Sequence, residues 1–427
     1  MFFTFRSVIL AFLAIPAGLF SEGALWPLLV IAGVAVLCGV DWLTAGNPND
    51  VTITRPVIKL RLGTTETTDI TVSNTGTRTI RGSVRNGWPP SVKVAPAIFP
   101  ISLGPGSTTV ITTVVSPSRR GTIHAGPITV RTNGILGLAG KQRSRNDDAH
   151  VTVMPAFTAR RFIPSRVSRL REMEGRSLLL VSGEGTEFDS LREYVRGDDV
   201  RSIDWRSTAR RGETLVKSWR PERDRRIVSV LDCGRSSSIR IGDQPRIDSS
   251  IETTLLLAAL AERSGDRLHV LAHDEALQLR IDPSRRSNMH QIAGALADVQ
   301  PSLTQTDWLG VAAQIRHTVT AKSLIVITTA LDSGVIPGGL LEAIPLMRRH
   351  TVLIAVATDP RLREMTETDG TAASAFEAAA AHRTILEERA VANHVARLGA
   401  VVVFASPEQL PAKVADAYLD LKEAGRL

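Results

Sequence analysis

Two apolar runs open the chain, Val8 to Phe20 and Ala24 to Leu43, parted by the polar triplet Ser21-Glu22-Gly23. The second is close to the roughly 20 residues that a spanning helix needs; the first reaches that length only by taking in Met1 to Ser7. Trp26 and Trp42 stand near the two ends of the second run, where indole rings favour the membrane interface. The pattern predicts a transmembrane helical hairpin over residues 1–49. A cleavable signal peptide is the rival reading, because Arg6 precedes a short apolar run, but a second apolar run follows at once. Arg6 lies before the hairpin, Glu22 is the charge in its turn, and Arg55, Lys59 and Arg61 follow it. Basic flanks stay inside, so everything after Asp50 is expected in the cytoplasm, with the hairpin in the cell (inner) membrane.

Residues 50–155 change to period two, as in VTITRPVIKLRL and STTVITTVVS, with glycine and proline between the runs. Some seven short strands at this spacing predict an immunoglobulin-like β-sandwich. Residues 156–226 are charged and less regular, and read as a segment bridging two domains. From 227 to 427 short apolar runs at 227–232, 267–274, 323–329, 351–357 and 400–405 suit a parallel sheet covered on both faces. Helical stretches at 247–264, 288–299, 308–320, 338–349 and 374–398 separate them. The expected fold is therefore α+β multidomain: hairpin, sandwich, bridging segment, then an α/β doubly wound domain whose ligands sit at the carboxyl ends of its strands.

Charge narrows the function. The net +8 is spread as −1 over residues 1–49, +8 over 50–155, +5 over 156–226 and −4 over 227–427. Basic groups thus gather in the membrane-proximal half, which suits anionic lipid better than nucleic acid. Aromatics make up only 4% of the chain, and its arginine-rich block alternates with acids, so no nucleic-acid partner is expected. Two cysteines, Cys38 and Cys233, exclude a disulfide framework.

At the end of the first strand of the α/β region stands Asp232-Cys233-Gly234-Arg235-Ser236-Ser237. It resembles the D-x-S-x-S start of the metal-ion-dependent adhesion site of von Willebrand factor A domains. That resemblance implies a von Willebrand factor A-like (Rossmann-like) domain in which Asp232, Ser236 and Thr306 face a divalent cation through hard oxygens. Gly234 departs from the pattern, as does Thr328-Thr329-Ala330, where the family usually has an aspartate; Asp332 comes two residues late. A degenerate site is expected, and no cofactor, Mg²⁺ included.

The densest block of charge, turn residues and buried-looking aromatics is GEGTEFDSLREYVRGDDVRSIDWRSTARRGETLVK, Gly183 to Lys217. Glu187, Phe188, Leu191, Arg192, Tyr194, Gly197, Asp198, Asp199, Arg201, Ile203, Asp204, Trp205, Ala209, Arg210 and Gly212 match, in order, the signature of the bacterial domain-of-unknown-function-58 family. Ser118-Arg119-Arg120-Gly121, Gly126-Pro127 and Gly134-Ile135-Leu136-Gly137-Leu138 also look like this family, so the resemblance covers roughly residues 1–330. It implies an inner-membrane protein associated with a MoxR-type AAA+ ATPase, acting in complex assembly or cell-envelope maintenance, with no established catalysis. Read physically, Gly197-Asp198-Asp199 makes a tight turn, and the Val200 segment is a poor strand, hence a loop. Arginines 192, 201, 206 and 210 lie at spacings that permit bidentate pairs with Asp198, Asp199, Asp204 and Glu193. The block reads as an ionic clasp between sandwich and sheet, and also as a docking surface for a partner protein.

Enzymatic chemistry finds little footing. Glu184 and Glu187 are a candidate carboxylate pair, yet their surroundings favour salt bridges. No H-E-x-x-H metalloprotease motif, nucleophile elbow or phosphate loop is present. The expectation is a membrane-anchored, non-catalytic adaptor, with a metal-dependent adhesion-type module and an uncharacterised hydrolase as alternatives.

Overall fold

The computed structural model describes residues 1–427 except 13, 20–24, 181–186, 196–197, 221–224, 284–288 and 333–337. It divides into two compact units, Met1–Ala156 and Phe157–Leu427.

In the first unit a two-residue strand, β1 (Phe2–Phe3), precedes three apolar helices, α1 (Phe5–Phe12), α2 (Ala14–Leu19) and α3 (Leu25–Thr44). Among the described residues, one helical stretch, Trp26–Asp50, is long and apolar enough to cross a membrane. This is consistent with membrane association, though α1 and α2 do not each meet the same criterion. The expected break at Ser21-Glu22-Gly23 lies outside the described residues.

The two ends of this helical segment nevertheless meet. Phe2 and Phe3 pair antiparallel with Gly140 and Ala139, and the Thr4 amide donates to the Leu138 carbonyl at 3.0 Å. Asp41, in the last turn of α3, is buried, and its carboxylate accepts the amides of Leu136 (2.7 Å), Leu138 (2.6 Å) and Ala139 (2.9 Å). Three donors offset the loss of water around a buried carboxylate. Both ends are thus held by residues 136–140.

The sandwich consists of β2 (Val51–Thr54), β3 (Ile58–Arg61), β4 (Glu66–Asn74), β5 (Ile80–Asn86), β6 (Val92–Ala95), β7 (Ile98–Leu103), β8 (Thr108–Pro117), β9 (Gly121–His124), β10 (Ile128–Asn133), β11 (Ala139–Arg145) and β12 (His150–Met154). These eleven strands replace the seven expected: turns divide two of the period-two runs, into β2 with β3 and β9 with β10, and β6, β7 and β11 add to them. They form sheets ordered β1-β11-β10-β5-β7, β2-β4-β8-β6 and β3-β12-β9. Period two sends Ile70 and Val72 of β4 and Val84 of β5 into one core with Phe99, Ile101 and Val130. Arg55, taken above as a flanking charge, is buried in the sandwich, where it pairs with Asp147 and donates to Asn86 and to the carbonyls of Gly87 and Gly126. It is a structural group and carries no topological information.

In the second unit α4 (Ile163–Leu180) comes first, followed by β13 (Glu187–Glu193), α5 (Trp205–Arg211) and β14 (Leu215–Arg220). Phe157, Ile163 and Leu170 enter the same core as the α/β sheet, and residues 157–226 as a whole fall in that unit. The sheet that follows contains β15 (Arg226–Asp232), then α6 (Arg235–Ser238), the short hairpin β16 (Arg240–Ile241) and β17 (Gln244–Pro245), and α7 (Arg246–Ser264). After these come β18 (Arg267–His273), β19 (Leu277–Ile281), α8 (Met289–Ala297), α9 (Trp308–Thr318), β20 (Leu324–Thr329) and α10 (Leu340–Leu346). The chain ends with β21 (Thr351–Ala357), α11 (Pro360–Glu364), α12 (Ala372–Arg397), β22 (Val401–Ala405) and α13 (Leu410–Glu423).

The order is β19-β18-β15-β20-β21-β22, parallel except for the antiparallel edge β19. Ile227 and Leu231 of β15 join α7 and α13 in one core, while Val228 and Val230 join α9, α10 and α12 in the other. A strand buried on both faces reads as a mostly apolar run, which is why β15, β18, β20 and β21 were visible in sequence. From β15 the chain steps one way to β18 and later crosses to β20 on the other side. The switch point therefore lies between the carboxyl ends of β15 and β20, where open α/β sheets bind ligands.

Candidate functional site

Asp232, the last residue of β15, is 1% exposed at that switch point. Its Oδ1 accepts the Gly234 amide at 2.9 Å and the Thr306 hydroxyl at 2.5 Å. Its Oδ2 accepts the hydroxyls of Ser236 at 2.9 Å and Thr329 at 2.5 Å. Asp232, Ser236 and Thr306, singled out in sequence, are thus brought together. Thr329, where the loss of an aspartate had been noted, is a fourth member that sequence reasoning missed.

These bonds test the donor set against a divalent cation. An ionised carboxylate offers about four lone-pair directions, and all four are taken here by protein donors. A direct metal bond would have to displace one. At Gly234 a Cβ would lie 2.3 Å from Thr306 Oγ1 and 3.1 Å from the Thr304 carbonyl oxygen, so the serine of the adhesion-site pattern has no room. Among the described residues no three carboxylate, histidine or cysteine side chains converge as a metal cluster does. The residues do not fit an adhesion-type Mg²⁺.

A positive charge is already built in. Arg246, the first residue of α7, is buried and donates from one terminal nitrogen to the Ser236 carbonyl at 2.9 Å, while its Nε has no partner among the described residues. Burial pulls its pKa below the ordinary arginine value, against the carboxylates of Asp332, Glu388, Asp232 and Asp359. A cation at the positive end of a helix is electrostatically misplaced, and that anomaly was the signal available in sequence. Glu388 on α12 is buried too; desolvation lifts its pKa, an effect that Arg246 opposes and Asp332 reinforces.

The signature block is a separate small construction. Antiparallel β13 and β14 frame it, with Leu215 and Val216 buried. Each aspartate of G-D-D and I-D-W closes a turn. Asp198 accepts two bonds from Arg192 (2.8 and 2.5 Å) and one from the Val195 amide (3.0 Å), and Arg192 chiefly holds its carboxyl below the usual range. Asp199 accepts the Arg201 amide at 2.9 Å, heading a 3₁₀ turn over Val200–Ser202 where a loop was expected. Asp204 caps α5 through the Ser207 amide at 3.0 Å and approaches Lys217 at 3.4 Å; the capped amide first, then the lysine, lowers its pKa. Gly212 ends α5 with a φ of 75°, a backbone that favours glycine. The Tyr194 amide pairs with the Thr214 carbonyl at 2.9 Å.

Two expectations change here. Of the arginines read as a clasp, Arg192 alone forms an ion pair among the described residues; Arg201, Arg206 and Arg210 are exposed. The reason is local: Asp199 and Asp204 spend their acceptors on backbone amides at turn and helix starts. Nor is the tryptophan buried. Trp205 is 68% exposed, and Val195 and Val200 are each 61% exposed. Gly197 lies outside the described residues, and Glu187 is placed on β13 opposite Arg220, with its side chain, like the whole of Glu184, outside them.

Residues 190–389 match the sequence profile of the family described as Protein of unknown function DUF58, the family recognised from the signature residues. The match starts within the signature and ends in α12, and leaves out the sandwich. An uncharacterized protein of Mycobacterium tuberculosis is 29% identical over 119 residues, 28% of this chain and 37% of that protein. The uncharacterized protein YeaD of Bacillus subtilis is 28% identical over 144 residues, 32% of this chain and 34% of that protein. The chain thus spans about a third of the length of the curated relatives it matches. Among solved structures, an aerotolerance-related membrane protein from Bacteroides fragilis superimposes with a TM-score of 0.31 at 12% identity, covering 46% of this chain and 98% of that one. Proximal thread matrix protein 1 from the mussel byssus gives 0.29 at 14% identity, covering 47% and 46%. Likenesses of this size carry no inference for this chain.

Proposed function

We propose that this DUF58-bearing chain is a membrane-anchored, non-catalytic adaptor or assembly factor that presents its signature block to a cytoplasmic MoxR-type AAA+ ATPase, in complex assembly or cell-envelope maintenance. The hairpin anchors it in the inner membrane, an immunoglobulin-like sandwich carries it, and a von Willebrand factor A-like domain completes it, with the soluble part in the cytoplasm. No metal or other cofactor takes part. The observation that carries the reading is that one small block leaves Trp205, Val195 and Val200 exposed, together with Arg201, Arg206 and Arg210. Tryptophan and arginine are the residues that dominate protein interfaces, and a folded hairpin that leaves them in water has a surface to be covered. The turns beneath are locked by Asp198, Asp199 and Asp204, so the face is preorganised. The alternative of a metal-dependent adhesion module asks for an ion where Asp232 has no acceptor to spare.

The test is site-specific photo-crosslinking from position 205 in native membranes, with the adducts identified by mass spectrometry. An AAA+ ATPase among them, lost in a folded Arg201→Ala/Arg206→Ala variant, is the expected result. Its absence, with and without ATP, overturns the partner.

A further inference from the structure

The loop between β10 and β11 carries Gly134-Ile135-Leu136-Gly137-Leu138, and its backbone is bound to both ends of the apolar helices. Leu136 and Leu138 donate to Asp41, the Ile135 amide faces the Thr44 hydroxyl at 3.4 Å, and the Thr4 hydroxyl donates to the Gly137 carbonyl at 2.7 Å. At Gly134 a Cβ would lie 2.0 Å from the Asp41 carbonyl oxygen, so only glycine lets loop and helix approach this closely. The side chains at the tip do the opposite of packing. Ile135 is 79% exposed and Leu136 48% exposed, although Leu138 beside them is buried.

The level of this tip is fixed by its bonds. Asp41 and Thr44 belong to the last turn of α3, which rises about 5 Å. Val40 and Leu43 of that turn are exposed apolar residues, and Trp42 is placed where an indole marks the interface. On the N-terminal side of the same loop Phe3 and Phe5 are exposed as well. Basic groups ring the tip: Lys141 lies 5.3 Å over Trp42 and donates to the Ala45 carbonyl at 2.8 Å, and Arg131 lies 5.4 Å over Phe2.

We infer that this loop is a second membrane contact: Ile135 and Leu136 enter the interfacial layer of a bilayer containing anionic phospholipid, and seat the sandwich on the membrane. Apolar side chains at the depth of Trp42 leave water for the acyl boundary, and Lys141, Arg131 and Arg6 face headgroup phosphates. The inference rests on α3 spanning the membrane, as proposed above. It explains why a sandwich loop is apolar at its tip when its backbone amides are already engaged.

Nitroxide-lipid quenching of a fluorophore in proteoliposomes of phosphatidylcholine and phosphatidylglycerol tests it on the full chain. Cys38 and Cys233 are buried, so an introduced thiol is labelled selectively. Three variants are compared: Ile135→Cys, Val36→Cys within α3, and Asp148→Cys. Asp148 lies beyond the far end of β11, a seven-residue strand about 20 Å long. The expected pattern is quenching of position 135 by a shallow nitroxide, of position 36 by a deep one, and of 148 by neither. Quenching at 36 with none at 135 overturns the loop contact and leaves the spanning helix standing. No quenching at 36 overturns the spanning reading and the loop contact with it.

Discussion

A Cβ on Gly234 would stand 2.3 Å from Oγ1 of Thr306, the hydroxyl that bonds Asp232. The backbone at Gly234 is extended, with φ −75° and ψ −176°, so a side chain is barred by the neighbouring loop and not by the chain's own conformation. Restoring the pattern's serine with Gly234→Ser should therefore push the 304–306 segment away and destabilise the α/β unit by about 1–3 kcal/mol. It should not create a cation site. Thermal unfolding with Mg²⁺ and with EDTA checks both halves; a Gly234→Ser protein stabilised by millimolar Mg²⁺ would show that the pattern had merely lost one ligand.

Glu388 gives a pH signature. Burial, resisted by Arg246, holds its carboxyl above the ordinary range. A carboxyl raised on folding stabilises the native state while protonated, and that contribution is lost as pH rises through the native value. Glu388→Gln keeps the neutral shape at every pH. Its Tm should exceed that of the wild type at pH 7 and converge on it near pH 4. A variant less stable than wild type at pH 7 would mean that the attraction to Arg246 outweighs desolvation.

How much of this could be read in advance depended on what each residue faces. β15, β18, β20 and β21 announce themselves because both faces are buried, so most positions are apolar, and the half-buried edge strand β22, VVVFA, is apolar throughout. The edge strand β19, LQLRI, is exposed along much of its length and escaped notice, as did α13, whose apolar stripe is diluted by Lys413, Asp416 and Asp420. Three ligands of the Asp232 centre, Gly234, Ser236 and Thr306, lay in or near a recognisable pattern. Thr329 did not, because a threonine at a strand end is ordinary until its hydroxyl is seen on Asp232. The charges of the signature misled in a different way: spacing permits Arg–Asp pairs, but aspartates beside turns and helix starts prefer backbone amides, which arrive without entropy cost to a long side chain.

Asp369 heads the entry to α12, accepting the hydroxyls of Thr371 and Ser374 and the Thr371 amide, while Thr371 caps the helix through Ser374. These bonds, Ser374 first and then Thr371, lower its pKa to about 2. A depressed carboxyl stabilises the fold above its unfolded value, and that support is lost as pH falls from the unfolded value of about 4 toward about 2. Amide exchange at Thr371 to Ser374 should quicken across this window while the core of β20 stays protected. Asp369→Asn should show the faster exchange already at neutral pH.

Asp41 offers the sharpest test of how the apolar segment joins the sandwich. A carboxylate near a helix C-terminus opposes the helix dipole, so its presence in the last turn of α3 needs a compensating gain. That gain is the set of three amides at Leu136, Leu138 and Ala139, the last two of them buried. Asp41→Ala would strand these donors together, at a cost of about 3 kcal/mol. The strand pairing of Phe2 and Phe3 with Ala139 and Gly140 would remain, so the loop should loosen at one side only. Limited proteolysis in detergent should then cut between Gly134 and Leu138 in Asp41→Ala and not in the wild type. Asp41→Asn, which keeps one carbonyl acceptor, should be intermediate; a wild-type pattern in both variants would mean that the β1 pairing alone holds the apolar segment to the sandwich.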